Sequence, residues 1–190
     1  MGFIDYKAAS KAKEKFANKK PYLEPGIDFE LAVQLAKAIN GHKGKSFVFE
    51  FKVLGAKAMA AGVVLPPVGA ERAYVIKFTG APDDPGMGKL NTICQAFEGG
   101  PMPGLSQEQL AALEAAGKST TEIEEANGEA QGNSMEALLA NVEGFKIRAT
   151  TNGTTTSKGN PFTVINWHYV PGQTLEEAKA RALKMKNGDL

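Results

Sequence analysis

Alternation of apolar and polar positions marks five stretches of the chain as strands. In the first, Phe29, Leu31, Val33 and Leu35 alternate with Glu30, Ala32 and Gln34. In the second, Phe47, Phe49, Phe51 and Val53 fall on one face, with Glu50 and Lys52 on the other. Asn40-Gly-His-Lys-Gly-Lys45 between them has the glycines of a turn, so the pair predicts a hairpin. After an irregular stretch over 55–70, alternation resumes from Arg72 to Thr79. There Arg72, Tyr74, Ile76 and Phe78 stand opposite Ala73, Val75 and Lys77. Strand character returns at Phe145 to Ala149 and again from Phe162 to Val170, across a turn rich in Thr, Gly and Asn.

Helical spacing appears elsewhere. Tyr6 to Ala17 is rich in Ala and Lys and stops before Pro21. Met87, Leu90, Ile93, Cys94 and Phe97 form an apolar stripe, and Pro85-Gly-Met-Gly-Lys89 reads as the turn before it. Ser106 with Gln109, Asn133 with Glu136 and Thr174 with Glu177 have capping-box spacing. The last of these opens a helix whose final turns hold Lys179, Arg181, Lys184 and Lys186, favourable against its dipole. Residues 117–133 have almost no apolar anchors and are expected to be disordered. The order is helix, three strands, helix, partly helical insertion, two strands, helix. That order predicts a mainly β, α+β fold: a five-stranded OB-fold-like barrel, with a generic α+β sheet as the alternative. We expect a single domain over 1–190. It comprises a basic N-terminal helix over 1–20, an insertion over 98–143 between the third and fourth strands, and a C-terminal helix over 173–190.

Composition narrows the function classes. At 43% hydrophobic and 23% charged, the chain is that of an ordinary globular protein. No apolar run approaches the ~18 residues of a membrane span. The lysine-rich start has no apolar segment after it, so a cytoplasmic location is expected, the host cytoplasm if the protein is viral. A single cysteine, Cys94, excludes an intramolecular disulfide and a cysteine-based metal cluster. The net charge of +1 argues against a polybasic nucleic-acid binder, but the charge is unevenly placed. Residues 1–97 carry +5, residues 98–143 carry −8 and residues 144–190 carry +4. Without the acidic block, a basic protein of +9 remains.

Enzymatic motifs mostly fail, a Cys94–His168 pair being the one nucleophile–base arrangement that the sequence leaves open. Pro85 to Lys89 lacks the earlier glycine and the final Ser or Thr of a phosphate loop. His42 and His168 lack zinc-pair spacing, and Cys94 on an apolar stripe reads as a small core residue. No metal and no cofactor are expected, and no catalysis. What remains is a set of cations beside aromatic rings, as needed to follow phosphates and stack unpaired bases. Lys43, Lys45 and Lys158 sit in turns between strands. Lys146 and Arg148 share one strand face, Arg72 and Tyr74 another, with Lys77 opposite them. Trp167 and Tyr169 share a face of the last strand, where they serve either as core or as stacking platform. Phe47, Phe49 and Phe51 read as core.

Three segments together resemble the OB-fold single-stranded DNA-binding proteins of bacteriophages. They are Tyr22-Leu-Glu-Pro-Gly-Ile-Asp-Phe-Glu-Leu31, Gly41-His-Lys-Gly-Lys-Ser-Phe-Val-Phe-Glu-Phe-Lys-Val53, and Gly144-Phe-Lys-Ile-Arg148 followed by Lys158-Gly-Asn-Pro-Phe-Thr-Val-Ile-Asn-Trp167. With the central helix, the resemblance spans about residues 20–100 and 143–171. It implies nonspecific, non-catalytic binding of single-stranded DNA in phage replication or recombination. Lys43, Lys45, Arg72, Tyr74, Lys146, Arg148, Lys158 and Trp167 are the positions it points to. Many such proteins end in an acidic tail that recruits partners and competes for the DNA groove. This chain ends Lys184-Met-Lys-Asn-Gly-Asp-Leu190, so the internal acidic block is the candidate for that role and for contact with replication or recombination proteins. A phage protein-interaction or host-inhibitor module on the same scaffold, with no affinity for DNA, is the rival expectation.

Overall fold

A computed structural model describes residues 20–41, 44–81, 84–155 and 157–189. The expected helix over 6–17 lies outside them. Five strands form one antiparallel sheet: β1 (Ile27–Gly41), β2 (Gly44–Ala58), β3 (Glu71–Lys77), β4 (Lys146–Thr155) and β5 (Pro161–His168), in the order β3-β2-β1-β4-β5. Four helices accompany it among the described residues: α1 (Pro85–Glu98), α2 (Gln107–Ala115), α3 (Thr120–Leu139) and α4 (Leu175–Asn187). The fold is therefore α+β. The sheet is open in its hydrogen bonding, because β3 and β5 do not pair.

The aromatic face of β2 supplies the core. Phe49, Phe51 and Val53 are fully buried and Phe47 nearly so, and the ring of Phe49 lies 6.3 Å from that of Phe97 on α1. Each fully buried side chain of this size contributes roughly 1.5–3 kcal/mol relative to leaving it in water. Leu90, Ile93 and Cys94 of α1 complete the layer, with Met135, Leu139 and Val142 from the end of the acidic block.

Two bulges bend β1 against β2. Leu54 has no partner where the register shifts between Glu30 and Leu31, and Gln34 has none between Val33 and Leu35. An extra residue on one strand turns every later side chain to the other face. After Gln34 the inward positions are therefore Ala36 and Ala38, opposite Phe49 and Phe47. Leu35, expected inward by simple alternation, instead stands opposite Glu50 on the outer face.

The stretch over 117–133 is not disordered. It lies mostly within α3, and the N-cap is Ser119, whose hydroxyl accepts from the Glu122 N–H while the Glu122 carboxylate accepts from the Ser119 N–H. Asn133 and Glu136, expected as a helix start, fall inside α3 for the same reason. Alanine and glutamate carry the helix intrinsically. Sparse anchors hold it: Gly132, Met135 and Leu139 are buried, and the Asn127 amide oxygen accepts from the Leu105 N–H at 2.8 Å. The capping boxes at Ser106 and Thr174 form as expected. Pro85 to Lys89 is the first turn of α1 rather than a turn preceding it. Its cap is Asp84, whose carboxylate accepts from the N–H groups of Thr79 (2.6 Å), Gly86 (2.8 Å) and Gly80 (2.9 Å). Burial opposes ionisation of this carboxyl, but those three donors outweigh it and hold its pKa below the ordinary value.

Residues 20–26 form a strap between the two sides of the sheet. The Ala73 N–H donates to the Pro21 carbonyl at 2.9 Å, and Tyr22 bridges Ala73 in parallel. Leu23 plugs into the core. At the far end the Gly26 N–H donates to the Thr151 carbonyl at 2.8 Å. The buried Thr151 hydroxyl accepts from the Ile27 N–H at 3.0 Å and lies 2.6 Å from the Glu24 carbonyl.

Candidate nucleic-acid interface

Nine of the ten positions singled out from the sequence fall among the described residues, and they separate into three places. The first is the inner face near the sheet's edges. Tyr74 and Arg72 point inward from β3 because their partners across the ladder are the core residues Phe49 and Phe51. Trp167 points inward from β5, with ring centroids 5.7 Å from Phe51 and 5.2 Å from Tyr74. It is half-buried, so one side chain serves both as core and as a partly open ring. Burial raises the pKa of the Tyr74 phenol. Arg72 is engaged as a fork: Nε and Nη2 donate to the two Glu24 carboxylate oxygens at 2.7 and 2.5 Å, and Nη1 to the Glu71 carbonyl. It fastens the strap to β3.

The second place is an open groove of about 500 Å³ on the outer face of β1, β2 and β4. Arg148 and Tyr169 line it together with Lys57, Asp28, Glu30 and the Val170–Pro171 turn. Gly55 lies in its floor, where the Glu30 carboxylate passes 3.7 Å from the position a Cβ would occupy. Arg148 Nε and Nη2 donate to Asp28 at 2.7 and 2.5 Å. That fork is the main cause of the lowered Asp28 pKa, and Asp28 in turn raises that of Arg148. Lys146 Nζ reaches Glu30 at 3.3 Å. Tyr169, just past the end of β5, is exposed, and one flank of its ring lies over Gly99, the left-handed cap of α1. A side chain at Gly99 would meet that ring at 3.0 Å. The groove thus presents a supported ring, a held guanidinium and an exposed ammonium side by side.

The third place is the pair of strand turns. Lys45, after the β1–β2 turn, and Lys77 are exposed at the Gly41 end of β1, where the Lys45 carbonyl accepts from the Phe78 N–H. Lys43 lies outside the described residues. Lys158 is exposed in the β4–β5 turn, beyond the opposite end of β1. Lys77 and Lys158 make no ion pair with a described residue.

Sequence reasoning missed Lys57 and the carboxylates of Asp28 and Glu30. Their signal is the outward alternation of acids on β1 against bases on β4. It is readable only when the β1–β4 register, Glu30 opposite Arg148, is known. Cys94 is buried, which pushes its thiol up to about 12, while His168 is exposed and shares a hydrogen bond with Thr150 at 2.9 Å. Among the described residues no group of three or more His, Cys, Asp or Glu could hold a metal ion. No helix among them is long and apolar enough to cross a membrane.

No family model matches the chain, and no curated protein matches it.

Proposed function

We propose that this protein binds single-stranded DNA, largely without sequence preference and without catalysis, in phage-type DNA replication or recombination. The groove carries this reading, because it brings Arg148, Lys57 and the exposed ring of Tyr169 to one surface. There Lys57, which makes no ion pair with a described residue, can neutralise a phosphate, Arg148 shares its charge between Asp28 and the bound strand, and the ring gives a flat face to an unpaired base. We read the sheet as an OB-type barrel on its strand order and on the Trp167–Tyr74 contact, which draws side chains of the two unpaired edge strands together. On that scaffold Lys45 and Lys158 extend the track at either end of β1.

Titration of labelled oligo-dT and of a matching duplex at two salt concentrations tests the proposal. The expected result is preference for oligo-dT, with affinity falling steeply as salt rises. Tyr169→Ala should weaken it by about 1–3 kcal/mol, the worth of one stacked base. Absence of binding at low salt, or preference for duplex, overturns the reading. One observation favours the rival protein-interaction module: Met59, Val64, Leu65 and Val68 are exposed in a loop that carries no charged residue from Ala58 to Ala70. That module predicts no DNA affinity in the same titration.

A further inference from the structure

The β4–β5 hairpin reaches past the rest of the sheet. β1 pairs with β4 only from Asp28–Thr150 to Ala32–Lys146, whereas β4 and β5 remain paired out to Thr155–Pro161. No residue of β5 is buried, and Phe162 and Val164 expose 46% and 40% of their surface. Among the described residues no backbone hydrogen bond joins β5 to anything but β4. A two-stranded arm of this kind is at best marginal in water, and an unpaired edge strand is a template for another strand.

We infer that the outer edge of β5 pairs antiparallel with β5 of a second copy of this chain, continuing the sheet across a two-fold axis at Thr163. The composition of the arm selects this occupant. From Gly159 to Val170 there is no Lys, Arg, Asp or Glu, so an identical strand meets no like charge. Pro161 and the Trp167 end, where the ring packs on Tyr74, confine pairing to residues 161–165. With Thr163 opposite its own copy, Phe162 of each chain stands opposite Val164 of the other. The arm's two exposed apolar side chains then cover each other as aromatic–β-branched pairs, among the better cross-strand combinations. Antiparallel pairing also sends the two Lys158 residues in opposite directions, roughly 30 Å apart at ~3.4 Å per residue. The self-pairing is isologous and closes as a dimer.

Sedimentation velocity on the full chain at tens of micromolar tests it. Wild type should run near twice its monomer mass of 20.2 kDa. Phe162→Lys/Val164→Lys sets lysine against lysine at both pairs and should run as a monomer with an unchanged circular dichroism spectrum. Phe162→Lys/Val164→Glu sets each new ammonium opposite a new carboxylate and should restore the dimer. Mild oxidation of Thr163→Cys should give a covalent dimer, since directly opposed residues lie within disulfide reach and the native Cys94 is buried. A monomeric wild type, a dimeric double-lysine variant, or failure of the Lys/Glu variant to recover overturns the inference.

Discussion

The two edge strands of the sheet have comparable lengths and opposite fates. Along β3 the strap over residues 20–26 supplies what a neighbouring strand would: a backbone bond from Ala73 to Pro21, a fork from Arg72 to Glu24, and Leu23 driven into the core. Lys20 adds ion pairs to Glu50 and Glu71 on the outer face, at 2.5 and 3.2 Å. Burial works against that ammonium, but the two carboxylates outweigh it and hold its pKa above the ordinary value. Along β5 there is no strap, no buried side chain and no ion pair among the described residues. Whether an edge is closed or left available is thus decided by residues outside the strand. On β3 Arg72 is consumed by structure while Lys77, at the end of the strand, stays exposed; on the β4–β5 side Lys158 is left facing solvent.

The largest effect expected from this contrast comes from unplugging the sealed edge. Leu23→Ala removes a buried leucine where the strap crosses the core and should destabilise the protein by about 2–5 kcal/mol. Phe162→Ala on the open edge should change stability by no more than about 0.5 kcal/mol. Urea denaturation of both variants in dilute protein, where self-association is suppressed by mass action, gives the comparison. Equal losses at the two positions would show that the edges do not differ as described.

Sequence pattern made both edge strands readable, but not what closes one edge and leaves the other open. The aromatic alternation of β2 is so strong that Phe47 to Val53 could only line a core. Arg72 and Tyr74 were placed correctly on one face of β3, with Lys77 opposite. What alternation could not supply was the side of the sheet each face meets. Arg72 reads as a free cation until Glu24, 48 residues away in the chain, arrives beside it. Leu35 was misassigned because a bulge carries no local signature beyond its flanking residues. The end of α3 is legible from Asn133 on, but its longer first part is not, because its hold on the core comes from a few residues at one end and from Asn127, whose partner is distant in sequence. The groove was half legible: Lys146, Arg148 and Tyr169 stood out as chemistry. Their carboxylate partners on β1 looked like the solvated side of a strand.

Asp28 gives a sharper, middle-sized test, because it stands between the sealed region and the groove. Its carboxyl is held below the ordinary value chiefly by the Arg148 fork. A depressed carboxyl contributes stability that is present above the unfolded pKa and lost as pH falls through the folded one. Wild type should therefore lose thermal stability between about pH 5 and pH 2 more steeply than Asp28→Asn. The same substitution keeps an amide oxygen to orient Arg148 while removing one negative charge from the groove. At neutral pH and low salt it should tighten oligo-dT binding several-fold, a gain that high salt erases. Weaker binding at low salt would mean that the carboxylate is needed to hold Arg148 in place.

The smallest effect expected belongs to the acidic block. Glu122, Glu125, Glu129 and Glu136 follow one exposed line along α3, and Lys118 pairs only with the first of them. Glu122 is bound up in the helix start, where the Lys118 ammonium and then the Ser119 donors pull its carboxyl down to about 2. It should be left untouched. Deleting the stretch would also remove Asn127 and Gly132 from their packing, so neutralisation is the cleaner change. Glu125→Gln/Glu129→Gln/Glu136→Gln should preserve the helix, because glutamine and glutamate have similar helix propensities. If the block competes with DNA for the basic surface, this triple variant should tighten oligo-dT binding about two- to three-fold at low ionic strength. Near 0.1 M salt the Debye length is ~10 Å, so the gain should vanish there unless α3 directly flanks the bound strand. Persistence of the gain at that salt would therefore place the acidic helix beside the DNA path. No gain at any salt would remove it from the binding reaction and leave partner recruitment as its role.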